Sequence, residues 1–258
     1  MMAVLMVGSV FFAGCAKKDD SLTKIKDSGV FVLGLDDAFP PMGFRDENNE
    51  IVGFDIDVAK EVAARMGVEL KFQPIDWDSK VIELDSGNID CIWNGLTITE
   101  ERQDQMTFSL AYMKNRQVVV VRGDSDIQTL DDLTGKTLCL QAGSSAADAL
   151  AGNEEFKNTL GQVVELSDNV TAFLELEGKT SDAILMDEIV AAYNIKQNGQ
   201  DFRILEESLA DEEYGVGFRK ADKALAAEVD KQLKAMAADG TLAKISDTWF
   251  GKDVTVIK

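Results

Sequence analysis

The chain has 258 residues and 45% hydrophobic content, enough to build one large or two medium cores. Its formal net charge of -20 argues against nucleic acid or an anionic membrane surface as partner, because both reward clusters of lysine and arginine. With no histidine at all, Ser-His-Asp and Cys-His nucleophilic pairs are ruled out and a typical zinc site is disfavoured, so no metal or other cofactor is expected.

Met1 to Cys15 is an apolar run too short to span a bilayer, and Ala16-Lys17-Lys18-Asp19-Asp20 follows at once. The run and its last residues, Phe12-Ala13-Gly14-Cys15, resemble the end of a bacterial lipoprotein signal peptide and its lipobox. That resemblance implies that residues 1–15 are a leader whose Cys15 becomes the lipid-modified first residue of the mature protein. No lysine or arginine precedes the run, which leaves open a start upstream of Met1.

From Gly29 the pattern becomes regular. Val30 to Leu35 reads as a strand, and the acidic, proline-rich Asp36-Asp37-Ala38-Phe39-Pro40-Pro41 as the loop at its carboxyl end, which makes Asp36 a candidate ligand contact. Gly53-Phe54-Asp55 opens a helix with Val58, Ala59, Val62, Ala63 and Met66 on one face; Asp55 is its expected N-cap and Gly67 its stop. Val68 to Phe72 alternates as a strand, Asp76-Trp77-Asp78 is a loop, and Val81 to Leu84 is a short helix ended near Gly87.

The stretch Ile89 to Asp104 organises the rest. Ile89 to Trp93 fits a buried parallel strand, and Asn94-Gly95 is a strong break straight after it. Thr99 is placed to cap a short helix whose first turn holds Glu100, Glu101 and Arg102. Small ligands bind at such carboxyl edges in open α/β sheets. Arg102 offers a bidentate donor to a carboxylate, and Thr97 with the Gly95 carbonyl offers acceptors to an ammonium; the alternative is an Arg102 paired with its acidic neighbours on a solvated helix.

The series restarts after Tyr112. Gln117 to Arg122 reads as a strand, Leu130 to Leu133 as a short helix, and Thr137 to Leu140 as a strand ending in Gln141-Ala142-Gly143-Ser144-Ser145, which runs into a helix near Ala146. That loop suits a carboxylate at a helix N-terminus, and equally plain serine capping. Val163 to Leu166 is a strand, Asn169 an expected cap of the helix through Leu176, and Ser181 to Met186 a strand ending at Asp187, which either caps or binds an ammonium. Gly215 to Phe218 reads as a strand, Ala224 to Ala238 as an amphipathic helix, and Leu242 to Trp249 packs the C-terminus. Cys91 and Cys139 each sit in an apolar strand-like run and read as core thiols, with a disulfide between them left open. The alternation predicts an α/β protein of two lobes with a ligand cleft between them.

Val52-Gly53-Phe54-Asp55-Ile56-Asp57-Val58-Ala59-Lys60, Asn94 to Arg102, and Trp249-Phe250-Gly251 closely resemble segments of the bacterial solute-binding proteins of polar amino-acid ABC transporters, over about Ser21 to Lys252. The resemblance implies the periplasmic-binding-protein fold, each lobe a mostly parallel sheet flanked by helices. Lobe 1 would comprise residues 21–114 and 214–258, and an inserted lobe 2 residues 115–213, hinged near Asn115 and Glu213. It further implies that Arg102 clamps the ligand carboxylate with help from the Thr97 and Ser145 amides. Asp187 would take the ammonium with Gly95 and Thr97, and Phe39 and Trp77 would flank the side chain near Asp36. Asn94, Gln141 and Ser144 complete the expected site; Gln141 stands where glutamine-specific members are expected to carry lysine, and Trp93 and Asn94 are larger than many relatives carry. The implied role is not enzymatic: a lipid-anchored, extracytoplasmic, monomeric receptor that delivers arginine, lysine or another polar amino acid such as glutamine or cystine to permease and ATPase subunits. A dehydratase for prephenate-like acids on the same fold is the enzymatic alternative.

Overall fold

The computed structural model describes residues 19–198 and 201–257, so the leader reading and Cys15 lie outside the described residues. The first part of the chain runs α1 (Ser21–Ser28), β1 (Val30–Leu35), β2 (Ala38–Phe39), β3 (Gly43–Arg45), β4 (Ile51–Val52), α2 (Phe54–Met66) and β5 (Glu69–Pro74). A 3-10 turn over Trp77–Ser79 leads into α3 (Lys80–Asp85), followed by β6 (Cys91–Ile92), α4 (Glu100–Gln105) and β7 (Met106–Phe108). Helix α2 forms where its apolar spacing predicts, with Val58, Ala59, Val62, Ala63 and Met66 buried, and it stops at Gly67, whose left-handed φ of 70° lets its amide reach back to the Ala63 and Ala64 carbonyls. Its N-cap is Gly53 rather than Asp55. Asp55 sits inside the first turn, and its fully buried carboxylate is turned to the Gly95 amide (2.7 Å) and the Tyr112 hydroxyl (2.9 Å).

The second part runs β8 (Met113–Arg122), a 3-10 turn at Asp131–Leu133, β9 (Thr137–Gln141), α5 (Ser145–Gly152), α6 (Glu154–Thr159), β10 (Gln162–Leu166), α7 (Asn169–Glu177), β11 (Ala183–Asp187), α8 (Glu188–Asn198) and β12 (Phe202–Tyr214). The chain then returns through β13 (Gly217–Arg219), α9 (Lys223–Ala238) and α10 (Thr241–Phe250). Asp168, not Asn169, caps α7: its carboxylate accepts from the Thr171 amide at 2.7 Å. β12 carries no clear strand signal, since Glu206, Glu207, Asp211, Glu212 and Glu213 interrupt its apolar residues. It is tolerated because it is an edge strand of its sheet, paired with β8 along its length and bridged on its free side only at its C-terminal end, where the Ile98 amide bonds the Glu213 carbonyl.

Two five-stranded sheets result, ordered β5-β1-β6-β13-β7 and β10-β9-β11-β8-β12. In the first, β5, β1 and β6 run parallel, β13 runs against them and β7 runs against β13; four of the five strands therefore point the same way. The second repeats the arrangement, with β8 as the reversed strand. This is the two-lobed, mostly parallel architecture expected from the sequence. The lobes are joined by β8 and β12, which pair antiparallel from Met113 with Tyr214 to Arg122 with Phe202. One apolar core extends from Phe31, Phe54 and Trp93 through Tyr112 and Tyr214 to Val118, Cys139 and Met186, coupling the two sheets. Both Cys91 and Cys139 are buried and free, one in each sheet, which settles the open disulfide question. No helix among the described residues is long and apolar enough to cross a membrane.

Candidate functional site

The carboxyl ends of β1, β6, β9 and β11 face one another across the lobes and enclose a cavity of about 260 Å³, lined by Asp36, Phe39, Trp77, Asn94, Arg102, Gln141, Ser144, Ser145 and Asp187. Those are nine of the eleven residues expected from the sequence. The other two stand just behind the wall. Gly95 has a left-handed φ of 59° and lies under Phe39 and the Tyr214 ring, while Thr97 is buried with its hydroxyl 3.0 Å from both Ser145 Oγ and Glu212 Oε2. The walls are in near contact. A larger depression of about 1130 Å³ near the hinge is open and lined by surface charges such as Lys114, Arg116, Glu188 and Asp211. Buried polar groups converge on the smaller space, which is therefore the candidate site.

Arg102 is placed by helix α4, whose Thr99 N-cap accepts from the Arg102 amide at 3.1 Å, as its sequence position predicts. The guanidinium is only 6% exposed. It donates to the Thr97 carbonyl (3.2 Å) within its own lobe, and to Asp148 (3.0 Å) and the Gly143 carbonyl (3.4 Å) of the other. Burial lowers its pKa, opposed by the charge of Asp148. Asp187 ends β11, and its Oδ1 accepts from Asn115 Nδ2 (2.7 Å) and the Tyr214 hydroxyl (2.6 Å). Burial, and then the neighbouring Glu212 charge, pushes its carboxyl well above the usual range. A ligand ammonium would relieve that repulsion.

At the other end of the cavity, Asp36 accepts from the Ala38 amide (2.9 Å) and from Gln141 Nε2 (2.7 Å), with its own amide donating to Asn94 Oδ1 (3.1 Å). Burial raises its carboxyl too, with those hydrogen bonds opposing. Asn169, the expected cap, instead steadies Gln141 by donating to its Oε1 at 3.1 Å. Ser144 does cap α5, accepting from the Ala147 amide at 3.2 Å, as the capping reading of this loop expects. Trp93 does not narrow the cavity: its side chain points into the core beside Tyr112.

Sequence reasoning missed four groups that build the site. Glu212 accepts from Thr97, Asn115 and Gln117 at 3.0 to 3.1 Å, tying both lobes to the hinge. Tyr214, Asp148 and Lys80 join it. Glu212 was hidden in an acidic run with no apolar period, and Asp148 reads as an ordinary first-turn helix acid. The described residues contain no group of three or more His, Cys, Asp or Glu arranged to hold a metal. What the site presents is one guanidinium, two carboxylates and two aromatic faces.

A two-lobed fold with a buried polar cavity between its strand ends is the architecture that solute-binding proteins share. The family model for bacterial extracellular solute-binding proteins, family 3, matches residues 31–252, and the chain belongs to that family. It is 32% identical over 257 residues to the L-cystine-binding protein TcyJ of Escherichia coli (strain K12), covering 99% of this chain and 95% of that protein. It is also 32% identical to the arginine-binding extracellular protein ArtP of Bacillus subtilis (strain 168), covering 85% of each chain. Among solved structures, an ABC uptake transporter substrate-binding protein from Streptococcus pneumoniae with bound histidine superposes with a TM-score of 0.89 at 37% identity, covering 93% of this chain and 99% of that one.

Proposed function

We propose that the protein is the receptor of an ABC importer and captures a free L-amino acid with a cationic side chain, arginine or lysine. The observation that carries the side-chain reading is the charge balance of the cavity wall: Asp36 and Asp187 face one guanidinium, Arg102. A zwitterionic head uses Arg102 for its carboxylate and Asp187 for its ammonium. Asp36 is then left over, buried, and a positive side chain running between Phe39 and Trp77 neutralises it. Ser144, Ser145, Thr97, Gly95, Asn94 and Gln141 complete the contacts.

In this reading residues 21–114 with 214–258 form one lobe and residues 115–213 the other. Closure about the β8/β12 pair, near Asn115 and Glu213, presents the loaded form to permease and ATPase subunits. The protein works as an extracytoplasmic monomer tethered through Cys15. Cystine is the second reading, supported by the identity to TcyJ; its second ammonium would take Asp36, while its second carboxylate finds no further cation in the cavity wall. The similarity to binding proteins and the lack of a nucleophile–base pair in the cavity favour binding over turnover.

The test is a thermal-shift screen of the purified protein against the twenty amino acids, ornithine, citrulline and cystine. A ligand at a hundredfold excess over its Kd adds about 2.7 kcal/mol of apparent stability. Arginine, lysine or ornithine should raise Tm in the wild type and fail to do so in Asp36→Asn. A shift with cystine or glutamine alone keeps the receptor and replaces the ligand. No shift with any amino acid, together with turnover of prephenate-like acids, refutes the receptor reading.

A further inference from the structure

Lys80 is a buried lysine outside the cavity wall, only 6% exposed. It opens helix α3 in the first lobe, directly after the Trp77–Ser79 turn. Its Nζ donates to the Trp77 carbonyl at 3.0 Å and, across the cleft, to the Gly143 carbonyl of the second lobe at 2.8 Å. The ammonium also stands 5.1 Å from the centre of the Trp77 ring. Gly143 packs closely in this seam: its φ is +64°, and a Cβ there would lie 2.8 Å from Asp78 Cα of the opposite lobe. Gly143 therefore lets the two backbones meet, and Lys80 bonds the carbonyl that the meeting delivers.

We propose that Lys80 and the Gly143 carbonyl form a clasp that exists only when the lobes are closed, so that Lys80 is a positioning residue that sets how long the closed state lasts without touching the ligand. The ligand arm of this idea rests on the receptor reading above. Burial and then the Arg102 charge bring the Lys80 pKa down to about 8. A charge-assisted hydrogen bond of this kind changes an equilibrium by roughly ten- to a hundredfold.

The test compares wild type with Lys80→Met, which keeps the stem against Trp77 but removes the donor, and with Gly143→Ala, which blocks the seam from the opposite lobe. Small-angle X-ray scattering without added ligand should show a larger radius of gyration for both variants. Stopped-flow dissociation of the best amino acid from the thermal-shift screen should be about ten- to a hundredfold faster from Lys80→Met, with that variant's association rate and ranking of ligands unchanged. An unchanged radius of gyration with a dissociation rate within twofold of wild type overturns the clasp. A reordered ligand ranking overturns it too, because it would place Lys80 in the specificity pocket. If wild type binds no amino acid, the receptor reading fails, and the scattering comparison still decides whether Lys80 holds the lobes together.

Discussion

Gln141 Nε2 donates to Asp36 Oδ2 across the cleft at 2.7 Å, joining the first strand of one lobe to the strand end of the other. On the proposed reading, the residue that faces Asp36 sets the charge that the ligand supplies. Replacing Gln141 with lysine puts a cation beside Asp36 and removes the need for a positive side chain. Gln141→Lys should weaken arginine binding by about 1.5–3 kcal/mol, roughly ten- to a hundredfold, and leave neutral polar amino acids bound as well or better. Isothermal titration with arginine and glutamine reads both effects; equal losses for the two ligands would separate Asp36 from side-chain recognition.

Arg102 is fixed by its helix cap, the Thr97 carbonyl and Asp148, so its fork is already oriented. Lysine at this position keeps the charge but loses the planar pair of donors. Arg102→Lys should cost about 2–5 kcal/mol of binding free energy while Tm without ligand falls much less. Titration of the variant over a hundredfold wider concentration range checks it, and retention of near wild-type affinity would remove Arg102 from the carboxylate contact.

Asp55 is fully buried, and burial pushes its carboxyl from 3.8 up to about 7. Its Oδ1 and the nearby Trp93 indole Nε1 have no hydrogen-bond partner among the described residues, and the Gly95 amide and Tyr112 hydroxyl oppose the rise. Between those two pKa values the unfolded chain has released the proton and the folded chain still holds it, so stability falls as pH rises from about 4 to about 7. The slope is at most about 1.4 kcal/mol per pH unit for one group. Asp187, also raised, contributes with the same sign. Urea unfolding at pH 4.5, 6 and 7.5 should show a smaller loss with rising pH for Asp55→Asn than for wild type; parallel curves would mean that Asp55 stays ionised when folded.

Gly95 combines a φ of +59° with a hypothetical Cβ 2.9 Å from Phe39 Cε1 and 3.3 Å from the Tyr214 ring. Alanine there meets both backbone strain and a crowded wall. Gly95→Ala should lose about 1–3 kcal/mol of stability and weaken ligand binding further by displacing Phe39. Urea midpoints and titrations together measure the two losses, and a neutral result in both would show that the loop relaxes freely.

Cys91 and Cys139 are fully buried, with thiols raised by burial, Cys139 to about 11. Neither should react with a thiol reagent such as Ellman's reagent in the native protein, and both should react in 6 M guanidinium chloride. Rapid native labelling of either residue would contradict their place in the core.

Local chemistry was enough for much of this protein. The apolar period of α2 with Gly67 after it, the Asn94-Gly95 break, the Thr99 cap and the strand ends carrying Asp36, Gln141 and Asp187 are set by backbone conformation and side-chain pattern, which act over a few residues. That local order, with the resemblance it carries, defined two α/β lobes and all nine residues of the cavity wall. Asp55 and Asn169 were misread as caps because a short polar residue at a helix start looks the same whether its side chain turns to its own backbone or to a partner tens of residues away. Glu212, Tyr214, Lys80 and Asp148 matter only through partners in the other lobe or across the hinge, and β12 is a strand only because β8 offers it an edge. Sequence fixes which groups line each strand end; the packing of one lobe on the other decides which carboxylates are buried together and which cations they meet.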